Sequence, residues 1–281
     1  MRLPAAFASR FVAGETPQTA IAAGLRLYQR GIRATFDLLG EDVDDRASAE
    51  RSAEGCMELL RAIPPTLERN ISIKLTCMGL DVSRELCLAL STKILETARE
   101  VAGFVRIDME GSAHTDATLE IFRELRKEFD NTGCVLQAAL HRTHEDVQEA
   151  VRRGDRVRLC KGAYREPSEI AFQGTTEVRA SFKRSAEALL SGGDHPALAT
   201  HDEELISHAL AFAQERDLAS DRFEMQMLYG LRPRRWDGLV QAGYSVRVYV
   251  PYGTHWLPYF YRRLRERKEN VLFVARSLLS G

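Results

Sequence analysis

The chain has no apolar run approaching the roughly 18 residues of a membrane-spanning helix. The stretch 3–12 is broken by Ser9 and Arg10 and is too short and polar for a secretory signal. Neither sign of charge is in excess: 39 Lys and Arg against 40 Asp and Glu leave a formal charge of −1. That balance gives no basic face for nucleic acid and no acidic tail, so the expected partner is a small molecule. Cysteine is sparse, with five residues at Cys56, Cys77, Cys87, Cys134 and Cys160. They form no C-x-x-C pair and no zinc spacing. An odd, scattered set suits buried thiols in a reducing cytoplasm rather than a disulfide framework. Localisation is therefore expected to be cytoplasmic, with peripheral contact at the inner membrane left open. No low-complexity linker divides the 281 residues. One domain spanning 1–281 is expected, with a short N-terminal helical extension.

What does recur is a short β-branched or apolar run followed by an amphipathic helical stretch. Strands are predicted at 32–38, 71–76, 104–109, 134–139, 157–160, 197–200, 223–228 and 245–250. Helices are predicted between them at 46–63, 84–102, 117–130, 145–153, 177–190, 202–214 and 233–242. A further helix at 16–30 precedes the first strand. Thr115 and Asp116, Thr143, and Asp202 with Glu203 and Glu204 place caps or acids at helix starts. Alternation of this kind marks a parallel α/β fold, and eight strands is the number that closes a (βα)8 barrel of TIM type. A doubly wound open sheet is the alternative, but no G-x-G-x-x-G follows the first strand.

In such a barrel the chemistry sits at the C-terminal strand ends. Those ends are polar here: Lys74, Asp108, Gln137, Arg158, Lys161, Thr200, His201, Gln226 and Tyr249. Each alone reads equally well as structural. Together they point into something, because a buried charge needs a partner. Lys74, Arg158 and Lys161 at one mouth call for anionic content, such as a phosphate-bearing cofactor and a carboxylate substrate. The short Lys161-Gly162-Ala163 segment would let backbone approach a flat ring.

After the last strand comes Tyr259-Phe-Tyr-Arg262-Arg263-Leu-Arg-Glu266. On a helix, Tyr259, Arg262 and Glu266 share one stripe and Arg263 flanks it. Guanidinium forks match a carboxylate or phosphate. The stripe suits a small anion, with Glu266 restraining the arginines and Tyr259 as a flat wall. A solvated surface helix with i,i+4 pairs is the competing reading.

In order along the chain, these pieces resemble the proline dehydrogenases of the monofunctional bacterial type, a family of FAD-dependent (βα)8 barrels. The matching pieces are Ser72-Ile-Lys74-Leu-Thr76 with Gly79, Arg106-Ile-Asp108-Met-Glu110, Arg158-Leu-Cys-Lys161-Gly162-Ala163-Tyr164, Ala199-Thr200-His201, Gln226-Met-Leu228-Tyr-Gly230, Arg247-Val-Tyr249-Val-Pro251 and the 259–270 segment. The resemblance spans about 31–273. It implies oxidation of L-proline to Δ1-pyrroline-5-carboxylate, the first step of proline catabolism, with electrons passed to a quinone. It also implies hand-over of product to a pyrroline-5-carboxylate dehydrogenase. By the same resemblance Arg262, Arg263 and Lys74 would clamp the proline carboxylate, while Tyr249, Tyr259 and Leu228 would pack its ring. Asp108 would order the charges between substrate and cofactor, and Glu266 would latch the arginines. Gln137, Arg158, Lys161, Gly162, Ala163, Tyr164, Thr200, His201 and Phe273 would bind FAD. The last helix would lie over the barrel mouth. Two departures stand out: Arg165, where some relatives carry tryptophan, and Asp202, where others carry asparagine.

Two other readings compete. A metal-dependent barrel hydrolase could draw ligands from His141, His144, His201 and Asp108, although no H-x-H follows the first strand. A non-catalytic barrel would bind an amino acid or a partner protein without redox chemistry.

Overall fold

The computed structural model describes residues 10–40 and 43–256. Eight parallel strands close into a barrel in sequential order, β1 next to β2 and so on until β8 pairs with β1. They are β1 (Arg33–Leu38), β2 (Asn70–Ile73), β3 (Phe104–Ile107), β4 (Thr132–Gln137), β5 (Arg156–Cys160), β6 (Ala197–Ala199), β7 (Glu224–Leu228) and β8 (Ser245–Tyr252). Closure is carried by a long register in which Arg33 lies opposite Arg247 and Leu38 opposite Tyr252.

A helix precedes each strand. α1 (Pro17–Tyr28), α2 (Arg46–Ala62), α3 (Arg84–Glu100), α4 (Thr115–Arg126), α5 (Thr143–Arg153), α6 (Thr175–Gly192), α7 (Glu203–Glu215) and α8 (Pro233–Gln241) make up the outer ring. α1 packs on β1 and β8, over the seam where the barrel closes. Eight helices thus cover eight strands before residue 257 is reached.

Local chemistry explains most of the boundaries. Asp45 and Ser83 cap α2 and α3 by accepting from backbone N–H groups two to three positions inside each helix. Thr143 is the first residue of α5 rather than its cap, and its hydroxyl donates back to Gln137 O at 2.5 Å. Thr115 likewise sits inside α4, whose cap position is His114. The predicted second strand runs three residues too long. After Ile73 the chain curls, with Met78 N–H donating to both Lys74 O and Leu75 O. β4 begins and ends two residues earlier than its apolar run suggested.

The main core lies between strands and helices, where Phe36, Ile71, Val105, Leu159, Met225 and Val248 are sealed off. The barrel lumen is different. Branched aliphatic layers are usual there. Here the inward positions carry Thr35 and Asp37, Ser72, Arg106, Gln137, Arg158, Glu224 and Gln226, and Arg247, all nearly fully buried. Such groups are tolerated only when paired. The pairs fall into two networks, one toward each mouth.

Candidate active site

The C-terminal mouth opens into a cavity of about 450 Å3. Its wall contains most of the residues singled out from the strand ends: Lys74, Asp108, Gln137, Arg158, Lys161, Gly162, Ala163, Tyr164, Thr200, His201, Leu228 and Tyr249. Seven strands, β2 to β8, and their following loops bring together positions up to 175 residues apart. Tyr259, Arg262, Arg263, Glu266 and Phe273 lie outside the described residues, as does the segment expected over the mouth.

The cationic demand inferred from sequence requires correction. Each of the three cations already has a carboxylate partner. Lys74 Nζ donates to Asp37 Oδ1 at 2.7 Å, Arg158 Nη1 to Asp108 Oδ1 at 2.7 Å, and Lys161 Nζ to Asp202 Oδ2 at 3.1 Å. Anionic content was needed, and much of it comes from the protein itself. Lys74 is deeply buried, which works against its charge. Asp37 and then Asp108 outweigh that cost, so its pKa lies above the ordinary lysine value and the ammonium persists.

Asp108 is the hub of the mouth. Its second oxygen accepts from the Tyr249 hydroxyl at 2.7 Å, and the Arg158 guanidinium lies 5.3 Å from the centre of the Tyr249 ring. Arg158 Nη2 also donates to Ser72 Oγ at 3.2 Å. Burial, reinforced by the negative charge of Asp108, pushes the Tyr249 phenol well above its normal range. Tyr249 is therefore a fixed, neutral donor beside the cavity and not a base. Gln137 donates its amide to Glu110 O at 2.9 Å. Gly162 packs next to it at φ +110°. A Cβ there would come within 3.1 Å of the Ala139 Cβ, so only glycine lets the β5–α6 connection lie this close to the strand ends.

On the β6 side, His201 Nε2 accepts from the Leu228 backbone N–H at 3.0 Å, which puts the ring hydrogen on Nδ1. Its carbonyl receives Arg232 Nη1 at 2.7 Å. Asp202 accepts from Arg179 Nε at 2.9 Å and Nη2 at 3.1 Å as well as from Lys161. Burial opposes the charge on Asp202, but those donors hold its pKa below the usual carboxylate range.

Several residues of this mouth were passed over in the sequence. Asp37 stands in an apolar run of β1 and fixes Lys74, and the signal that singled out Lys74 applies to it equally. Ser72 was quoted in a motif but given no role, and it supports Arg158. Glu110 accepts from Thr76 N at 3.2 Å and Thr76 Oγ1 at 2.6 Å, clamping the loop after β2. Only the fold brings Glu110 to Thr76, so no spacing rule could have found that pair. The histidines of the hydrolase reading are dispersed: His141 Nε2 faces Ser168 O and His201 faces Leu228 N. Among the described residues no group of three His, Cys, Asp or Glu side chains could hold a metal ion.

A closed parallel (βα)8 barrel with a deep, ionic, cavity-bearing mouth at its C-terminal strand ends defines the class of barrel enzymes. The family model described as proline dehydrogenase matches residues 20–276. "Proline dehydrogenase 1" of Bacillus subtilis (strain 168) is 40% identical over 273 residues, covering 97% of this chain and 90% of the relative. "Proline dehydrogenase" of Deinococcus radiodurans is 37% identical over 280 residues, covering 98% and 90%. A crystal structure of proline utilization A (PutA) from Bdellovibrio bacteriovorus, inactivated by N-propargylglycine, superposes with a TM-score of 0.84 at 25% identity. It covers 92% of this chain, which spans only 32% of that longer one. The chain belongs to the proline dehydrogenase family.

Proposed function

We propose that this protein is an FAD-dependent proline dehydrogenase that oxidises L-proline to Δ1-pyrroline-5-carboxylate at the C-terminal mouth of the barrel. Family membership supports the reaction. The observation that carries the site assignment is the cavity itself. It is walled by Lys74, Asp108, Arg158, Leu228 and Tyr249 together with Lys161, Gly162, Thr200 and His201.

These residues fit a flavin dinucleotide on three counts. Gly162, held at φ +110° by its closeness to Ala139, puts bare backbone on the cavity lining. Lys161 is more than a third exposed and can turn its ammonium to a phosphate. Arg158 keeps a buried Nε with no protein acceptor among the described residues. Gln137, Arg158, Lys161, Gly162, Ala163, Tyr164, Thr200 and His201 would hold the group. Phe273, outside the described residues, would join them. When bound, FAD supplies the acceptor for hydride from the ring carbon next to nitrogen.

The protein's part is alignment and electrostatics. Lys74, with Arg262 and Arg263 from beyond the described residues, would fix the substrate carboxylate. Glu266 would restrain that arginine pair. Leu228, Tyr249 and Tyr259 would set the position of the ring. Holding reactants in register can contribute about 7–11 kcal/mol to barrier reduction. The substrate amine must be neutral for its lone pair to assist. The added charges of Arg262 and Arg263 would lower its pKa, and Asp108 is already committed to Arg158 and Tyr249 and so cannot act as a free base. α1 completes the outer ring.

We read the chain as one barrel domain with α1 as its N-terminal extension. A membrane quinone as electron acceptor, peripheral contact with the inner membrane, and delivery of product to a pyrroline-5-carboxylate dehydrogenase complete the proposal. No helix among the described residues is long and apolar enough to cross a membrane. Replacing Arg262 or Arg263 with methionine tests the clamp. Each change should raise the apparent proline KM by roughly tenfold or more, as expected for loss of a charged hydrogen bond. An unchanged KM in both variants would remove the arginine pair from the substrate site.

A further inference from the structure

The opposite mouth of the barrel holds a second cavity, of about 460 Å3, at the N-terminal strand ends. Arg33, Arg106, Arg156, Arg222 and Arg247 line it, against Glu68, Asp194 and Glu224. His195 is also present, and burial keeps its imidazole below the ordinary pKa and neutral. Five guanidinium groups thus meet three carboxylates.

Ion pairing accounts for only part of this charge. Glu224 binds Arg247 Nε with both oxygens, at 2.9 and 3.0 Å, and Glu68 takes Arg247 Nη2 at 2.7 Å. Glu68 also pairs with Arg33, and Asp194 with Arg156. Among the described residues Arg106 and Arg222 are left over. Arg106 is only 5% exposed and stands in β3 where a barrel would ordinarily carry an aliphatic residue. Its Nη1 donates to Cys134 O and Arg156 O, but among the described residues the buried Nε has no protein acceptor and Nη2 donates to none. Space for this guanidinium exists because residue 133 is glycine: a Cβ there would lie 2.4 Å from Arg106 Nη1. The Arg106 and Arg156 guanidinium groups also flank one ring, Phe104, at 4.9 and 5.6 Å.

We propose that this mouth is a binding site for a phosphate group, free or carried on a small polar molecule, held by Arg106, Arg156 and Arg222. Two surplus positive charges match a phosphate dianion better than a single carboxylate. The three forks come from β3, β5 and the loop before β7, which suits a tetrahedral oxyanion approached from several sides. The wall is predominantly polar, which excludes a lipid tail. Burial and the neighbouring Arg158 push the Arg106 pKa down to about 9, a penalty that a bound anion offsets. The site lies across the lumen from the proposed proline site and shares no lining residue with it.

The test is phosphorus NMR titration of the purified enzyme, with its own cofactor bound, against inorganic phosphate and glycerol phosphate at constant ionic strength. Arg222→Glu is the diagnostic variant, because Arg222 is exposed and joins no ion pair among the described residues. Lys93→Glu, an exposed change on the outer face of α3, is the charge-matched control. Saturable binding that weakens at least tenfold in Arg222→Glu and persists in Lys93→Glu is expected, with unaltered melting of both variants in the absence of phosphate. Equal affinity for the two ligands would assign the phosphate alone as the determinant. Tighter binding of the ester would assign a carried phosphate. Absence of saturable binding, or equal binding by Arg222→Glu and the parent, would overturn the proposal.

Discussion

Lys74 and Asp37 show how much of this site depends on single side chains. The ammonium–carboxylate pair is almost completely buried, so removing one member leaves the other charge uncompensated. Asp37→Asn is predicted to lower stability by about 3–5 kcal/mol in denaturant titration. Adding Lys74→Met to it should restore much of that loss, because the stranded charge is then gone. The double variant should still bind proline poorly. Tyr249 is a second residue with a narrow role. Its hydroxyl is fixed on Asp108 and stays protonated at any physiological pH. Tyr249→Ser is expected to open space beside the substrate ring and shift the kcat/KM ratio toward hydroxylated proline by roughly tenfold, the scale of a few missing contacts in a pocket. No shift in that ratio would remove Tyr249 from the ring wall.

Among the elements, the start of α7 joins cap chemistry to the proposed cofactor side of the mouth. Asp202 caps the helix by accepting from Glu204 N at 3.3 Å and also binds Lys161 and Arg179. Asparagine caps as well as aspartate. Asp202→Asn should therefore keep the helix cap and release Lys161 for an anionic ligand, although the Asp202 side chain is only 8% exposed. Flavin retention during dialysis is expected to rise several-fold in this variant and to fall in Lys161→Ala. Opposite signs are the diagnostic point, since a purely structural role would weaken both.

Elements were the most legible level of the sequence. The eight strand–helix units, the additional helix at the front and the barrel closure follow from hydrophobic periodicity, because the outer faces of the strands form a conventional apolar core. Strand ends were less legible. Lys74 and Thr76 looked like strand because the run Ile71 to Leu75 is apolar and alternating, whereas the curl after Ile73 is set by Glu110, which is distant in sequence. Motifs located the mouth residues but not their mutual pairing. Asp37, Asp202 and Ser72 act through contacts that only barrel closure creates.

For the molecule as a whole, the unusual feature is a lumen filled with ion pairs. Glu224 illustrates its cost and benefit. Burial alone would raise its pKa, but Arg247 overrides this and holds it near 2, against an ordinary value of 4.5. A depressed folded-state pKa stabilises above the unfolded-state value, and that stability is lost as pH falls through the folded value. The contribution is about 3 kcal/mol at neutral pH. It should be intact above about pH 5 and drain away between about pH 4.5 and 2. Urea midpoints measured across that window should fall steeply for the parent. They should fall less steeply for Glu224→Gln, which begins from lower stability. Parallel pH profiles would show that the Glu224–Arg247 pair does not set acid sensitivity.

The central claim is that the ionic C-terminal mouth holds a flavin and presents proline to it. The most direct measurement is an anaerobic visible spectrum of the purified protein before and after addition of L-proline. A flavin spectrum that bleaches with L-proline and not with D-proline is predicted. A protein that remains colourless after addition of FAD, or a flavin that L-proline leaves oxidised, would contradict it.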